Sequence, residues 1–189
     1  MQYTCLSQQI FVQGSLRIAP VQPHEIEAIR KWRNDQLDVL RQKYLISHEE
    51  QQRYYRENVW PIMSKIHPPQ ILVSYYDGDN HVGYGGLVHM VWDRKEAELS
   101  FLLDPAKTRD HAIYQHYHWS FIELIKNLAF SDLGFNSIIT ETYSHRIHHI
   151  ANLEEAGFMR RKVIKDSCKI GGEFVDSIIH VYTFARGSS

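Results

Sequence analysis

Two carboxylates stand where a strand makes carboxylates expensive. Glu98 shares one face of the run AELSFLL, residues 97–103, with Ser100 and Leu102, opposite Ala97, Leu99, Phe101 and Leu103. Glu141 shares a face of SIITETY, residues 137–143, with Ile139 and Tyr143. A carboxylate in an apolar strand is costly to bury unless it is paired, and burial raises its pKa towards that of a useful base. Glu98 is therefore the first candidate for a general base, acting through water. The competing reading is a strand-end carboxylate paired with Arg94 or Lys95. If Glu98 and Glu141 line one gap, one can take a proton while the other holds a polar partner in place. Tyr143, near the carboxyl end of its strand, is a candidate acid, although a packing role competes with it. His148 and His149, at the start of the next helix, are its rivals.

A second set concerns binding. Arg33, Asn34, Arg41 and Gln42 concentrate polar donors in one connection between two helical stretches. An arginine fork suits the oxygen pair of a phosphate, and Tyr84 and Trp92 offer flat faces to a base or a sugar. The alternative is an ordinary helix end whose basic residues complement its dipole. His89, among Leu87, Val91 and Trp92, is either a substrate contact or a hydrogen-bonded strand histidine. Twelve histidines invite a metal hypothesis. His116 and His118 do not share a helix face, and no carboxylate or cysteine completes a site around His111 and His118. His145 and His149 have the i, i+4 spacing that can hold a metal, but the third ligand is missing. No metal is expected.

Elements of definite type must position these groups. Leu16 to Val21 reads as a short strand stopped by Pro20 and Pro23, and Ile26, Ile29 and Trp32 form a helical stripe ending near Asn34. Ser47 with Glu50 is a capping-box pattern, so a helix should run from there through Tyr55 towards Trp60. Asp77-Gly78-Asp79-Asn80 turns 70–76 into 81–92, and Arg94-Lys95 joins that run to EAELSFLLDP. HAIYQHYHWSFIELIKNLAFSDLG has helical spacing, SIITETY alternates, and HRIHHIANLEEAGF is helical again. Two runs flanking Gly171-Gly172 form a last hairpin. The predicted order is β-α-α-β-β-β-α-β-α-β-β, and a helix that joins parallel neighbours is a right-handed crossover. Such a crossover leaves an opening at the carboxyl ends of the strands.

At 189 residues and 43% hydrophobic content, the chain can bury one core, and a single domain over 1–189 with a core of about 16–184 is expected. A net charge of −1 gives no basic field for nucleic acid. No apolar run approaches a membrane span, and MQYTCLSQQIFVQG lacks a secretory pattern, so a cytoplasmic protein is expected. Cys5 and Cys168 stand alone, without metal-ligand spacing. Gly187-Ser188-Ser189 reads as a scar outside the expected core.

This order resembles the GCN5-related N-acetyltransferase (GNAT) superfamily from about Leu16 to Phe184, and most of all its branch of ribosomal-protein N-terminal and amino-sugar-nucleotide acetyltransferases. The segments "IRKWRND", "GYGGLVHMVWDRKEAELSFLLDP" and "ANLEEAGF" carry the likeness. It implies an α/β (α+β) fold: a mixed, mostly antiparallel sheet of six to seven strands, flanked by helices, with a V-shaped gap between strands four and five. It also implies acetyl-CoA in that gap and direct attack by a neutral amine. Backbone of Ser100, Phe101, Leu102 and Leu103 would then pair the pantetheine amides. Arg109 with the N–H groups of Asp110, His111, Ala112 and Ile113 would hold the pyrophosphate, and His149 falls to the cofactor side. Arg33, Asn34, Arg41, Gln42, Tyr84, His89 and Trp92 fall to the acceptor side, with Glu98, Glu141 and Tyr143 as the catalytic set.

Two departures from the family pattern are visible. The pyrophosphate loop usually reads Arg-x-x-Gly-x-Gly or Ala, whereas Arg109 is followed by Asp110-His111-Ala112-Ile113-Tyr114. Tyr114 must then point away from the phosphates. The tyrosine that many members place four residues before Gly-Phe, as acid on the sulfur, is Leu153 here. The resemblance implies a small-molecule amine acceptor, first of all a nucleotide-linked amino sugar, with a peptide N-terminus as the rival within the class. A non-catalytic ligand-binding domain is the rival outside it. A homodimer is the candidate assembly.

Overall fold

A computed structural model describes residues 1–184; the Gly187–Ser189 tail lies outside the described residues. Its centre is one eight-stranded sheet. In chain order the strands are β1 (Phe11–Gln13), β2 (Leu16–Pro20), β3 (Ile71–Asp77), β4 (Asn80–Val91), β5 (Glu96–Leu103), β6 (Ser137–Tyr143), β7 (Met159–Ile170) and β8 (Glu173–Thr183). Their spatial order is β1-β2-β3-β4-β5-β6-β8-β7, antiparallel throughout except for the β5–β6 pair. The four helices are α1 (Ile26–Asn34), α2 (His48–Tyr54), α3 (His111–Lys126) and α4 (Ile147–Glu155).

Every predicted element is present, and the fold is the mixed, mostly antiparallel sheet that the resemblance implied. The strand count is corrected upward from six or seven to eight. The extra strand, β1, is only three residues long and turns through Gly14, at φ 61°, into β2. A strand that short has no alternation to read. Ser47 accepts from the Glu50 N–H while the Glu50 carboxylate accepts from the Ser47 N–H, so α2 begins with the predicted capping box. Beyond Tyr54 the helix loosens into a π turn over Tyr55–Val59 and then a 3₁₀ turn containing Pro61, which has no N–H to continue an α-helix.

The core forms where apolar stripes of the helices meet the sheet. Ile26 and Ile29 of α1, and Phe121, Leu124 and Ile125 of α3, are buried together with Ile71, Val73, Leu87 and Leu99 of the strands. β4 approaches both of its neighbours closely, β5 at Gly85 and β3 at Gly86. A Cβ on Gly85 would lie 2.1 Å from the Ser100 carbonyl oxygen, and one on Gly86 (φ 132°) 2.0 Å from the Ile71 carbonyl oxygen. Only glycine fits at either point. Farther along, a bulge between Val88 and Val91 puts His89 in the left-handed region at φ 48°.

The parallel pair is what opens the sheet. β5 and β6 are joined through α3, and their register runs only through Glu96↔Ser137, Ala97↔Ile138 and Glu98↔Ile139. Past Glu98, β5 stays with β4 and β6 stays with β8, so the strands splay into a V with Glu98 at its apex. The strands predicted fourth and fifth are β5 and β6. Among the described residues no helix is long and apolar enough to cross a membrane.

Candidate functional site

A cavity of about 520 Å³ occupies the mouth of the V. Its walls come from β5 (Glu98 to Phe101), β6 (Thr140, Glu141, Tyr143), the connection from Val39 to Tyr44 between α1 and α2, and Arg146 and His149 at the head of α4. Glu141 lies two residues past the last paired residue of β6, so it returns to the face that Glu98 holds at the apex. The two carboxylates do meet. Arg41 bridges them, bonded to Glu98 Oε1 and 3.4 Å from Glu141 Oε2. Ser177 Oγ of β8 donates to Glu141 Oε1 at 2.5 Å, and His89 Nε2 lies 3.8 Å from Glu98 Oε2. Arg94, one of the two cations proposed to pair with Glu98, instead lies 3.3 Å from Glu96.

That bridge changes the reading of Arg41, which appeared in sequence as a free phosphate ligand but is spent on the two carboxylates. Its neighbours are engaged too. Asn34 accepts from the Ile46 N–H and donates to the Ile46 carbonyl, and Gln42 donates to Asn34 and to the Tyr44 carbonyl. Arg33 Nε in turn donates to Gln42 Oε1 at 3.0 Å. Asn34 and Gln42 therefore hold the connection in shape rather than offering their amides to a ligand. Arg33 faces the main cavity and also a second one of about 420 Å³, beside α2, that Tyr84 and Tyr55 line. Tyr84 is buried there, away from the carboxylates. Trp92 is a correction of another kind: its Nε1 donates to the Pro68 carbonyl at 2.8 Å, and its ring packs on His67 and edge-on to Phe135. The indole fastens the loop before β3. Tyr143 is buried at the cavity wall; desolvation, then its bond with the Cys168 thiol, pushes its phenol up to about 12.

On the cofactor side, the β6-facing edge of Leu99–Leu103 has no strand partner, which leaves backbone groups open along one rim of the V. Leu102 and Leu103 bury their side chains, so only their backbone is available, and Gln36 Nε2 already donates to the Leu103 carbonyl at 2.8 Å. A further cavity of about 580 Å³ lies between the start of α3 and the start of α4, lined by Arg109, His111, His145, Arg146 and His148 among others. Arg109 and Arg146 give this cavity two cations that suit a pyrophosphate, beside the carboxylates of Asp35 and Asp38. The helix N-terminus behaves differently from expectation. Asp110 caps α3, its Oδ1 accepting from the Ile113 N–H at 3.0 Å, so one of the N–H groups assigned to the phosphates is taken by a carboxylate. Ala112 and Ile113 are otherwise exposed.

Tyr114 turns towards α4. Its hydroxyl lies 2.6 Å from His149 Nδ1, and Arg146 Nη2 donates to that hydroxyl at 3.1 Å. His149 stacks on His118, with centroids 4.1 Å apart and planes at 17°, and His118 stacks on Phe101 of β5. Both imidazoles are neutral. Burial, with Arg146 adding to it, lowers His118 to about 3 and holds His149 well below its ordinary value. Arg146, which touches both cavities, escaped the sequence reading because it sits in a histidine-rich turn with no motif around it. Among the described residues no three histidines, cysteines or carboxylates gather as a metal group.

Comparison with known proteins adds the following. Residues 18–179 match the family model for the acetyltransferase (GNAT) domain. No curated protein sequence matches the chain. Among solved structures, spermidine N-acetyltransferase from Vibrio cholerae in complex with CoA and spermine superposes with a TM-score of 0.80 at 14% identity, covering 90% of this chain and 96% of that one. A dodecameric structure of spermidine N-acetyltransferase from the same organism, in an intermediate state, gives 0.75 at 15% identity, covering 90% and 95%. At such identities the likeness is one of fold.

Proposed function

The chain belongs to the GNAT acetyltransferase family and is an acetyl-CoA-dependent N-acetyltransferase; on that premise we propose that its acceptor is a small, cationic primary amine of the diamine or polyamine class. One observation carries the reading: both carboxylates of the gap converge on a cation, and that cation is a side chain of the protein, Arg41. An acceptor ammonium entering the mouth takes the place of this guanidinium. The Vibrio cholerae structures of the same fold are of enzymes named for spermidine, which agrees with this choice.

The residues divide the work as follows. Bound acetyl-CoA supplies the activated acetyl group. The open β5 edge from Ser100 to Leu103 and the cationic cluster of Arg109, His111 and Arg146 would hold it. Glu98, at the apex, takes the proton that the ammonium must lose before it can attack, directly or through water. Glu141, fixed by Ser177, holds the amine in line, and His89 offers the proton a way out from Glu98. Tyr143, kept protonated by burial, closes the wall of the cavity. The whole chain acts as one catalytic unit.

Arg41→Ala tests the assignment by the sign of its effect. Removing a competing cation should lower the KM for spermidine by about two- to fivefold, the range for a partly exposed ion pair. A nucleotide-linked amino sugar, the reading that Arg33, Lys43 and Arg146 around the cavity would favour, requires the opposite: Arg41→Ala should raise its KM. Turnover of a peptide N-terminus or a sugar nucleotide faster than any diamine would overturn the proposal.

A further inference from the structure

The buried aromatic wall of the cofactor side holds a histidine whose protonation geometry the neighbouring groups fix completely. Arginine can only donate hydrogen bonds. Arg146 Nη2 lies 3.1 Å from the Tyr114 hydroxyl oxygen, so that oxygen accepts and the phenol hydrogen is free to go elsewhere. It goes to His149 Nδ1, 2.6 Å away. The same guanidinium nitrogen lies 3.4 Å from Nδ1, which again requires an acceptor there. An Nδ1 faced by two donors cannot carry a hydrogen itself.

The ring is also neutral, since it is buried, stacked on His118 and beside Arg146. A neutral imidazole with a bare Nδ1 carries its single hydrogen on Nε2. No hydrogen bond reaches that nitrogen among the described residues, and it is not sealed from solvent as both nitrogens of His118 are. His149 lines both the main cavity and the one between α3 and α4. Its unpaired N–H therefore belongs to the seam between them, the region assigned above to the acyl donor.

We propose that the chain Arg146 → Tyr114 → His149 locks His149 as the Nε2–H tautomer and presents that N–H as the donor to the negative charge developing on the thioester during acetyl transfer. His149 is the catalytic residue in this assignment, and Tyr114 and Arg146 are positioning residues acting through it. The arrangement supplies a donor on α4 although Leu153 stands where many family members have tyrosine. It also accounts for the tyrosine at position 114, where the family usually has a small residue. A preorganised donor in a site with little water stabilises developing charge far more than the same group in solvent. The proposal rests on acetyl transfer, not on the class of acceptor.

The test uses the intact protein labelled with ¹⁵N-histidine and long-range ¹H–¹⁵N correlation spectra, which distinguish the tautomers directly. Wild type should show His149 with a protonated Nε2 and an unprotonated Nδ1 at neutral pH. Saturation with CoA should shift the Nε2 resonance and leave Nδ1 nearly still. Tyr114→Phe should convert His149 to a tautomer mixture and lower kcat about tenfold, with the KM for acetyl-CoA within twofold. His149→Gln, which keeps an N–H near the Nε2 position, should retain more kcat than His149→Ala. A wild-type spectrum with hydrogen on Nδ1, or an Nε2 resonance that CoA does not move, would sink the proposal whatever amine is used. So would equal kcat for Tyr114→Phe and wild type when the spectra show the variant folded.

Discussion

The two walls of the V solve the problem of polar groups in different ways. On the acceptor wall, Glu98 and Glu141 converge on Arg41, whose side chain is half exposed. On the cofactor wall, His118 and His149 are buried and neutral and Tyr114 is partly buried; Tyr114 and His149 bond to each other, while both His118 nitrogens are left dry. Charges persist where water reaches them or where an opposite charge is adjacent; elsewhere the protein discards them. The difference matches the proposed tasks: one wall is to accept a proton, and the other is to offer hydrogen bonds without taking one up.

The strongest way to break this contrast is at the apex. Glu98→Gln keeps the size and hydrogen-bonding capacity of the side chain but removes the proton acceptor, so kcat should fall by roughly 10²–10⁴ with a modest change in KM. Steady-state rates near wild type would transfer the base role to Glu141. The dry wall should show itself in stability. The folded protein holds His118 down to about 3, while the unfolded chain protonates near the ordinary value of 6.5. Between those values the unfolded state binds more protons, so stability present above pH 6.5 is lost as pH falls. The slope should be about 1.4 kcal/mol per pH unit for each such histidine, with His149 acting in the same direction. Calorimetric unfolding between pH 6.5 and 5, above the range of lowered carboxylates such as Glu27 and Glu154, reads this effect together with that of His81, which burial also lowers, and His118→Phe should reduce the slope.

Smaller changes sharpen the cofactor side. Arg109→Ala should cost about 1.5–3 kcal/mol of acetyl-CoA binding, read as a higher KM for that substrate with the acceptor KM unchanged. Unaltered values for both would place the phosphates against Arg146 and His148 instead. Asp110→Asn retains the cap but removes a negative charge from the phosphate side. It should lower the KM for acetyl-CoA by about 0.3–1 kcal/mol equivalent, and an increase would show the carboxylate to be useful there.

Most of the scaffold was legible because each element announces itself locally. Ser47 and Glu50 are three residues apart, Arg94-Lys95 is a turn between two apolar runs, and Ile26, Ile29 and Trp32 repeat at helical spacing. The carboxylates Glu98 and Glu141 were legible for a related reason, since charge in an apolar strand is conspicuous. What joins them was not. Arg41 is 57 residues from Glu98 and 100 from Glu141, and Tyr114 is 35 from His149. Those partners are chosen by the splay of β5 from β6 and by α3 lying against α4, which no window of sequence contains. Trp92 misled for the opposite reason: an aromatic ring offers the same face to a ligand as to a neighbouring loop.

The close approach of β4 to β5 carries a consequence for how this chain can vary. A side chain at Gly85 would have to displace the Ser100 carbonyl, and β5 between Glu98 and Leu103 would move with it. Gly85 sets the distance between the apex carboxylate and the β5 rim proposed to receive the cofactor. Descendants of this sequence can therefore exchange residues lining the cavity, and so change acceptor, more freely than they can exchange a glycine pressed against the Ser100 carbonyl and the Phe121 ring. Substrate preference can drift while the spacing that makes transfer work stays inherited.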